Sequence, residues 1–286
     1  MTTVTVLGLG PMGQALSTAL LDAAHRVTVW NRTESKADAL RAKGAVWASN
    51  PEQAVAASDL TLVNVVDHDA VDAVLDAAGN ALDGRVIVGL SSDTPDRAVQ
   101  TAKVVEDRGG RYLDGAIMTP TTTIGTPSAS ILFAGQRQLF DEHHGLFAVL
   151  GQPTWLGEDH RRAAAFDMSL LDLFWTSVSG FLHALTMARA NGILPSELLP
   201  HARGIVDILP PIFEEFAERL EADRHGDSSA PVSSVAASVR HLIAASQDAG
   251  VDPGALEAFA GYVDKAVADG HGADESSRIA AAMLRR

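Results

Sequence analysis

Short apolar runs alternate with amphipathic segments through the first half of the chain. Runs rich in Val, Leu and Ile predict strands, at residues 4–7, 26–30, 60–66, 85–90, 112–117 and 128–134. Apolar residues recur at helical spacing between these runs, at residues 15–24, 36–43, 70–78 and 96–108. Strands that alternate with helices predict a parallel, doubly wound α/β sheet.

The pattern changes after Gly157. Residues 163–190 are almost continuously compatible with a helix, and helical stretches dominate from there to Arg286. We therefore predict an α/β domain over residues 1–160, followed over residues 161–286 by a long interdomain helix and an all-helical domain.

The long predicted helix is apolar enough to raise the question of a membrane span. Polar and charged side chains interrupt it, however, at Asp167, Asp172, His183 and Arg189. Charged groups cost a few kcal/mol each near a bilayer centre. We therefore interpret the segment as a buried helix between two domains.

Composition narrows the possible functions. The 286 residues carry a formal net charge of −14, which argues against a nucleic-acid partner. There is no cysteine, which excludes disulfides and thiolate metal ligands, and no His or acidic cluster has metal-site spacing, so we expect no metal. The opening MTTVTVLGLG lacks the features of a secretory signal, so we expect a cytoplasmic protein.

A glycine-rich turn follows the first predicted strand and opens the next helix. Its G-x-G-x-x-G spacing is formed by Gly8, Leu9, Gly10, Pro11, Met12 and Gly13. Gly8 permits the tight turn, Gly10 lets the backbone approach a pyrophosphate, and Gly13 allows the helix to pack closely. The N-terminal N–H groups of the helix then face the anion. These six residues are therefore assigned to a dinucleotide cofactor.

The end of the second predicted strand distinguishes between the two nicotinamide dinucleotides. NAD sites carry Asp or Glu there for the ribose 2′-OH, but this chain has Asn31, Arg32 and Thr33, with Lys36 one turn into the next helix. A guanidinium binds a 2′-phosphate that a carboxylate would repel. NADPH is therefore predicted in preference to NADH. Three residues at the ends of later strands complete the assigned cofactor site: Val65, Val66 and Ser91.

The glycine turn and the WNRT stretch at 30–33 resemble the β-hydroxyacid dehydrogenase superfamily. Later motifs narrow the resemblance to NADPH-dependent imine reductases: YLDGAIM at 112–118, IGT at 124–126, WLG at 155–157, FWTS at 174–177 and GFLH at 180–183. The resemblance covers essentially the whole chain. It implies a Rossmann domain of the 6-phosphogluconate dehydrogenase-like type, a long connecting helix and a helical dimerisation domain that intertwines with a second subunit.

The long helix also separates imine reductases from the hydroxyacid dehydrogenases of the same superfamily. Those dehydrogenases use a Lys on the interdomain helix as proton donor and acceptor. All four lysines of this chain lie outside the helix: Lys36, Lys43, Lys103 and Lys265. Many imine reductases carry an Asp in this region instead, and the match falls on Asp167.

The helical periodicity independently selects Asp167. This carboxyl shares a predicted face with the apolar Leu171 and Phe174, and burial beside apolar groups raises a carboxyl pKa, as a neutral proton donor requires. Asp167 is therefore the predicted catalytic residue, either protonating the imine or, if ionised, stabilising an iminium cation. Its structural alternative is an ion pair with Arg161 or Arg162.

A second acid, Asp172, aligns with polar rather than apolar residues. Thr176, Ser179 and His183 follow it at helical spacing, so we expect hydrogen bonds and a structural role. The substrate pocket is assigned to residues of different motifs: Trp175, Leu171 and Met118. Some relatives carry an Asn two residues before Ser91, where this chain has Gly89, which weakens the case for reductive amination.

The predicted function is hydride transfer from NADPH to the C=N bond of cyclic imines or iminium ions. Apolar faces at 205–216 and 235–244 are too extensive for a small monomeric domain, so we expect an intertwined homodimer. Two alternatives stay open: a 3-hydroxyacid dehydrogenase-type enzyme and a non-catalytic NADPH-binding protein.

Overall fold

A computed structural model describes residues 2–285, apart from the side chain of His68. Its sheet has eight strands: β1 (Thr3–Leu7), β2 (Arg26–Trp30), β3 (Val46–Trp47), β4 (Leu60–Val63), β5 (Val86–Gly89), β6 (Arg111–Ile117), β7 (Ser130–Gly135) and β8 (Gln152–Trp155). Their order is β3-β2-β1-β4-β5-β6-β7-β8. Every described neighbouring pair is parallel except β6 and β7.

Six helices accompany the sheet: α1 (Pro11–Asp22), α2 (Asp38–Ala42), α3 (Pro51–Ala56), α4 (His68–Ala78), α5 (Pro95–Glu106) and α6 (Arg137–Leu150). Successive side chains of a strand point to opposite faces, which here feed two separate cores. Val86 and Val88 join the core that contains α1 and α6, whereas Ile87 joins the core that contains α3, α4 and α5. The predicted doubly wound α/β fold is confirmed.

The connection from β6 to β7 departs from the predicted parallel pattern. It contains a single 3-10 turn, Thr121–Thr123, rather than a helix. A parallel return needs a longer crossover, so β7 runs antiparallel to β6, with Leu113 opposite Gly135. The predicted helix at 36–43 forms as a 3-10 turn, Glu34–Ala37, followed by α2.

The chain divides into two compact units, Met1–Phe174 and Trp175–Arg286, and helix α7 (Arg161–Ala190) runs through the division. The second unit continues with α8 (Pro195–Asp207), α9 (Leu209–Glu221), α10 (Val232–Asp248), α11 (Gly254–Ala266) and α12 (Ile279–Met283). Its core includes Val232, Val263 and Ile279. The mostly helical character of this half is confirmed, whereas a domain boundary between residues 160 and 161 stays a prediction.

The apolar stretch that raised the question of a membrane does not qualify as a span. Within residues 2–285, no helix combines the length and the hydropathy that crossing a bilayer requires.

Candidate active site

The glycine turn between β1 and α1 has the geometry that its sequence spacing predicts. Gly8 has a φ of +98°, and a Cβ there would lie 2.1 Å from the carbonyl oxygen of Asn64. A Cβ at Gly13 would lie 1.9 Å from the carbonyl oxygen of Gly8. Chain packing therefore requires both glycines.

Gly10 differs from the other two glycines of the turn. A Cβ there would meet no protein atom within 4 Å, so chain packing does not require glycine at this position. Gly10 caps α1, and Pro11 is its first residue, which leaves the N–H groups of Met12 and Gly13 at the helix N-terminus. An open backbone beside these donors fits a pyrophosphate.

The side chain of Asn31, which directly follows β2, stabilises this turn with hydrogen bonds. Its Oδ1 accepts a hydrogen bond from the N–H of Leu9 at 3.0 Å, and its Nδ2 donates to the carbonyl of Thr33 at 3.0 Å. The Leu9 side chain is buried in the core. Asn31 therefore links the loop after β1 to the loop after β2.

Two cationic side chains, those of Arg32 and Lys36, follow Asn31 in the sequence. Arg32, Thr33 and Lys36 are exposed, and within residues 2–285 neither Arg32 nor Lys36 forms an ion pair with an acid. The nearby Arg41, by contrast, pairs with Glu34 at 3.1 Å. Unpaired cations where an acid would bind a ribose hydroxyl fit a 2′-phosphate.

The loops after β4 and β5 are joined at their beginnings. The side chain of Asn64 donates to the carbonyl of Leu90 at 2.6 Å, and the N–H of Val65 donates to Ser91 Oγ at 2.9 Å. Val66 is 87% exposed. Because the carboxyl ends of parallel strands form the ligand crevice of such sheets, Val65, Val66 and Ser91 lie where a dinucleotide would bind.

Asp167 is buried in a small pocket at this same edge of the sheet. Residues from α4 and α5 line the pocket together with residues from β5, β6, the loop after β5 and α7: Val71, Ala98, Thr101, Gly89, Ser91, Asp93, Tyr112, Asp114, Gly115, Ala164 and Asp167. Asp167 is only 3% exposed. Burial raises its pKa, and a hydrogen bond with Ser92 partly lowers it again.

The burial of Asp167 involves more than the apolar helix face that periodicity predicted. Among the apolar residues that share its face, Leu171 is partly buried, whereas Leu170 and Phe174 are 43% and 54% exposed. The pocket between the strand ends and the start of α7 also buries the carboxyl. The expected direction of the pKa shift is confirmed, and the pocket at the strand ends is a source of burial that helical periodicity did not predict.

Asp114 is a second buried acid in the pocket, and no sequence argument selected it. It is 6% exposed, its Oδ1 accepts from the Tyr112 hydroxyl at 3.2 Å, and its Oδ2 accepts from the N–H of Ala164 at 3.1 Å. Burial raises its pKa to about 7, and the charges of Asp167 and Asp93 contribute in the same direction. The available signal was an acid inside an otherwise apolar predicted strand, which requires a buried polar partner.

Comparisons with known proteins cover both halves of the chain. Residues 159–285 match the family model of the NADPH-dependent reductive aminase-like C-terminal domain, and residues 3–157 match that of the NAD binding domain of 6-phosphogluconate dehydrogenase. An NADPH-dependent reductive aminase of Aspergillus oryzae is 30% identical over 96% of this chain and 95% of its own. The chain belongs to the NADPH-dependent imine reductase and reductive aminase family.

Solved structures of imine reductases and reductive aminases are similar to this chain over nearly its whole length. An imine reductase from Myxococcus stipitatus in complex with NADP+ superposes with a TM-score of 0.95 at 31% identity, over 99% of this chain and 100% of that one. A reductive aminase from Aspergillus terreus in complex with NADPH4, cyclohexanone and allyl amine gives a TM-score of 0.93 at 31% identity, covering 99% of each chain.

The residues assigned to the substrate pocket of this family member lie in different surroundings. Met118 packs against a small apolar cluster that includes Ala116 and Ala163. Leu171 is partly buried, and Trp175, in the second compact unit, is 62% exposed. Across the part of the chain that the structure describes, no group of three or more His, Asp or Glu residues is arranged to hold a metal ion.

Proposed function

We propose that this protein transfers a hydride from NADPH to the C=N bond of imines or iminium ions, with cyclic imines as the expected substrate class. The observation that carries the proposal is the buried Asp167 carboxyl beside Ser92 at the ligand-binding edge of the sheet. The related hydroxyacid dehydrogenases carry a Lys on this helix, whereas Asp167 supplies an acid in an oxidoreductase of the imine reductase family.

Each part of the site has a distinct task in this reaction. The turn at Gly10 and the N-terminus of α1 hold the pyrophosphate, and Arg32 with Lys36 holds the 2′-phosphate. NADPH supplies the hydride when bound. Because its pKa is raised by burial, Asp167 holds a proton on its carboxyl more tightly than an exposed Asp and delivers it to the imine nitrogen. The product is an amine.

Turnover on chosen substrates tests the reaction class. NADPH consumption is followed with a five-membered and a six-membered cyclic imine, and NADP+ reduction with a panel of 3-hydroxy acids. We expect consumption with the imines and none with the acids. Oxidation of the acids without imine reduction would establish a dehydrogenase instead, and tight NADPH binding without turnover on either panel would establish a binding protein.

Cofactor preference tests the cations after β2. Arg32→Ala is expected to raise KM for NADPH about tenfold to a hundredfold, because a charge-assisted contact contributes about 1.5 to 3 kcal/mol. KM for NADH is expected to change little. Arg41→Ala is the matched control, since Arg41 is already paired with Glu34. Equal KM values for NADPH and NADH in the wild type would refute the 2′-phosphate assignment.

We further propose that the protein works as an intertwined homodimer in the cytoplasm, where NADPH is available. The second unit supports a dimer because it exposes many large apolar side chains: Trp175, Phe181, Leu182, Ile205, Val206, Ile208, Phe213 and Leu220. Extensive exposed apolar surface on a protein marks a site of interaction with a partner. Light scattering is expected to give twice the 30.0 kDa chain mass. A folded monomer at micromolar concentration would contradict the proposal.

A further inference from the structure

The hydroxyl of Tyr112 lies where a side chain at position 89 would be. A Cβ built on Gly89 would be 2.0 Å from Tyr112 Oη and 2.9 Å from its Cζ. Tyr112 is 4% exposed, and β5 and β6 pair so that Gly89 stands opposite Asp114. The absence of a side chain at 89 therefore admits a polar group from the neighbouring strand into the pocket.

Asp114 links this hydroxyl to the helix that carries Asp167. One carboxylate oxygen accepts from Tyr112, and the other accepts from the N–H of Ala164. Ala164 is the fourth residue of α7, and the first four N–H groups of a helix have no partner within it. Asp114, in β6, supplies a hydrogen-bond acceptor for the N–H of Ala164, so it holds the first turn of α7 against the sheet.

Asp167 follows Ala164 by three residues and so lies on the same side of the helix. We propose that the buried Tyr112–Asp114 pair is the positioning element of Asp167. The pair holds the first turn of α7 in the register that keeps the Asp167 carboxyl in the pocket beside Ser92. This inference rests on the proposed function, because it explains how the proposed acid is held in place.

Titratable groups from several elements lie around the pair, and Thr101 of α5 also lines the pocket. Asp167 extends from α7 and Asp93 from the loop after β5, and the charges of both acids disfavour a charge on Asp114. On the other side, the ring of His160 packs on Tyr112 with centroids 5.6 Å apart, and its Nε2 lies 3.7 Å from Glu106.

Three substitutions separate the positioning role from simple burial. Asp114→Ala removes the acceptor of the Ala164 N–H. Asp114→Asn keeps a carbonyl acceptor of the same shape, and Tyr112→Phe keeps the ring but removes the hydroxyl that holds Asp114. Thr61→Val is the control, because Thr61 is buried in β4 of the same sheet and its hydroxyl has no hydrogen-bond partner among the described residues.

In steady-state kinetics, Asp114→Ala is expected to lower kcat on a cyclic imine by about tenfold or more, the scale of a small misplacement of a reacting group. KM for NADPH is expected to stay unchanged. Asp114→Asn is expected to recover kcat to within about threefold of the wild type, since it restores the acceptor. Tyr112→Phe should lie between the two, and Thr61→Val should match the wild type.

Titration of the Asp167 carboxyl provides a readout that needs no turnover. Carbon NMR of protein labelled at Asp carboxyls identifies Asp167 by comparison with Asp167→Asn. The Ser92 hydrogen bond lowers the pKa of Asp167, so loosening that bond raises the pKa further. We expect the pKa to rise in Asp114→Ala and to stay at its wild-type value in Asp114→Asn and Thr61→Val.

The outcomes distinguish this inference from the proposed function. Inactivity of the wild type on every imine would refute the function, while the titration would still test the positioning. An unchanged Asp167 pKa together with unchanged kcat in folded Asp114→Ala would overturn the positioning role. If Asp114→Ala does not fold, Tyr112→Phe decides: wild-type kcat and an unmoved Asp167 pKa would overturn it, and a loss of kcat with a raised pKa would support it.

Discussion

Two buried carboxyl groups of this chain, one in each compact unit, have pKa values that are shifted in opposite directions. Asp114 in the first unit accepts hydrogen bonds from Tyr112 and Ala164 and lies near other acids. Glu275 in the second unit is 2% exposed and accepts five hydrogen bonds, from the N–H groups of Ser229, Ala230 and Ser276 and the hydroxyls of Ser228 and Ser276.

The pKa values follow the number of donors and neighbouring charges. Burial alone would raise the pKa of Glu275, but the bonds from Ser276, Ala230 and Ser228 together bring it down to about 2. The pKa of Asp114 is raised to about 7. A carboxylate that accepts several hydrogen bonds stays ionised and holds the donating loop in place. An acid near other acids can instead exchange a proton near neutral pH. This difference indicates that the pocket in the first unit, rather than the Glu275 site, is suited to proton transfer.

The largest effect is expected from removing the structural carboxylate. Glu275→Ala leaves the donors of the 228–230 loop and of Ser276 without their acceptor, so the free energy of unfolding should fall by about 4 kcal/mol. Urea unfolding measures it. Glu221→Ala, at an exposed acid of the same unit, is the control and should change stability by less than about 0.5 kcal/mol. A similarly small loss in Glu275→Ala would contradict the structural role.

Acid titration sharpens the same contrast. The folded pKa of Glu275 lies below its ordinary value of 4.5, so its contribution to stability is complete above pH 4.5 and is lost as pH falls from 4.5 toward 2. The wild type should lose stability through this window, and Glu275→Ala should lose less. Parallel stability curves for the two proteins would show that the carboxylate is not specially stabilised.

Asp114 should behave in the opposite way, with an effect of about 4 kcal/mol at most. Its folded pKa lies above the ordinary 3.8, so its contribution is most favourable below that value and declines as pH rises toward about 7. Asp114→Asn removes this dependence and should gain stability relative to the wild type over that window. The check is urea unfolding at several pH values, and a constant difference between the two proteins would oppose the raised pKa.

The smallest expected effect concerns the contact between Gly89 and Tyr112. Gly89→Ala places a Cβ against the Tyr112 hydroxyl, and Tyr112→Phe removes the closest atom. A double-mutant cycle should therefore show that Gly89→Ala costs about 1 kcal/mol less in the Tyr112→Phe background. Additive losses of unfolding free energy would mean that the two positions do not share this space.

Periodicity and spacing were sufficient for the parts of the fold that local sequence determines. The glycine turn, six of the eight described strands and the long helix were predicted because each has its own pattern of apolar residues and turn signals. The two-residue β3, the strand β8 and the antiparallel placement of β7 were not, since they depend on pairing between distant segments and on a connection without a helix.

The site shows the same limit. Helical spacing assigned Asp167 to an apolar stripe, because it describes one helix and carries no information about strands that pack on it. Asp114 reaches α7 across fifty positions of sequence, and Tyr112 meets Gly89 only through the register of β5 and β6. Both relations exist only in the assembled sheet.

The pH dependence of imine reduction tests the central claim, that Asp167 is the acid of this site. The measurement is kcat/KM on a cyclic imine of known pKa, across pH, for the wild type, Asp167→Asn and Asp172→Asn, with the titration of the imine subtracted. We predict that Asp167→Asn keeps NADPH binding and loses about 100-fold in kcat, that Asp172→Asn retains turnover, and that wild-type activity falls as pH rises through the raised pKa of Asp167. Near-wild-type turnover in Asp167→Asn, with turnover abolished in a folded Asp172→Asn, would contradict the account.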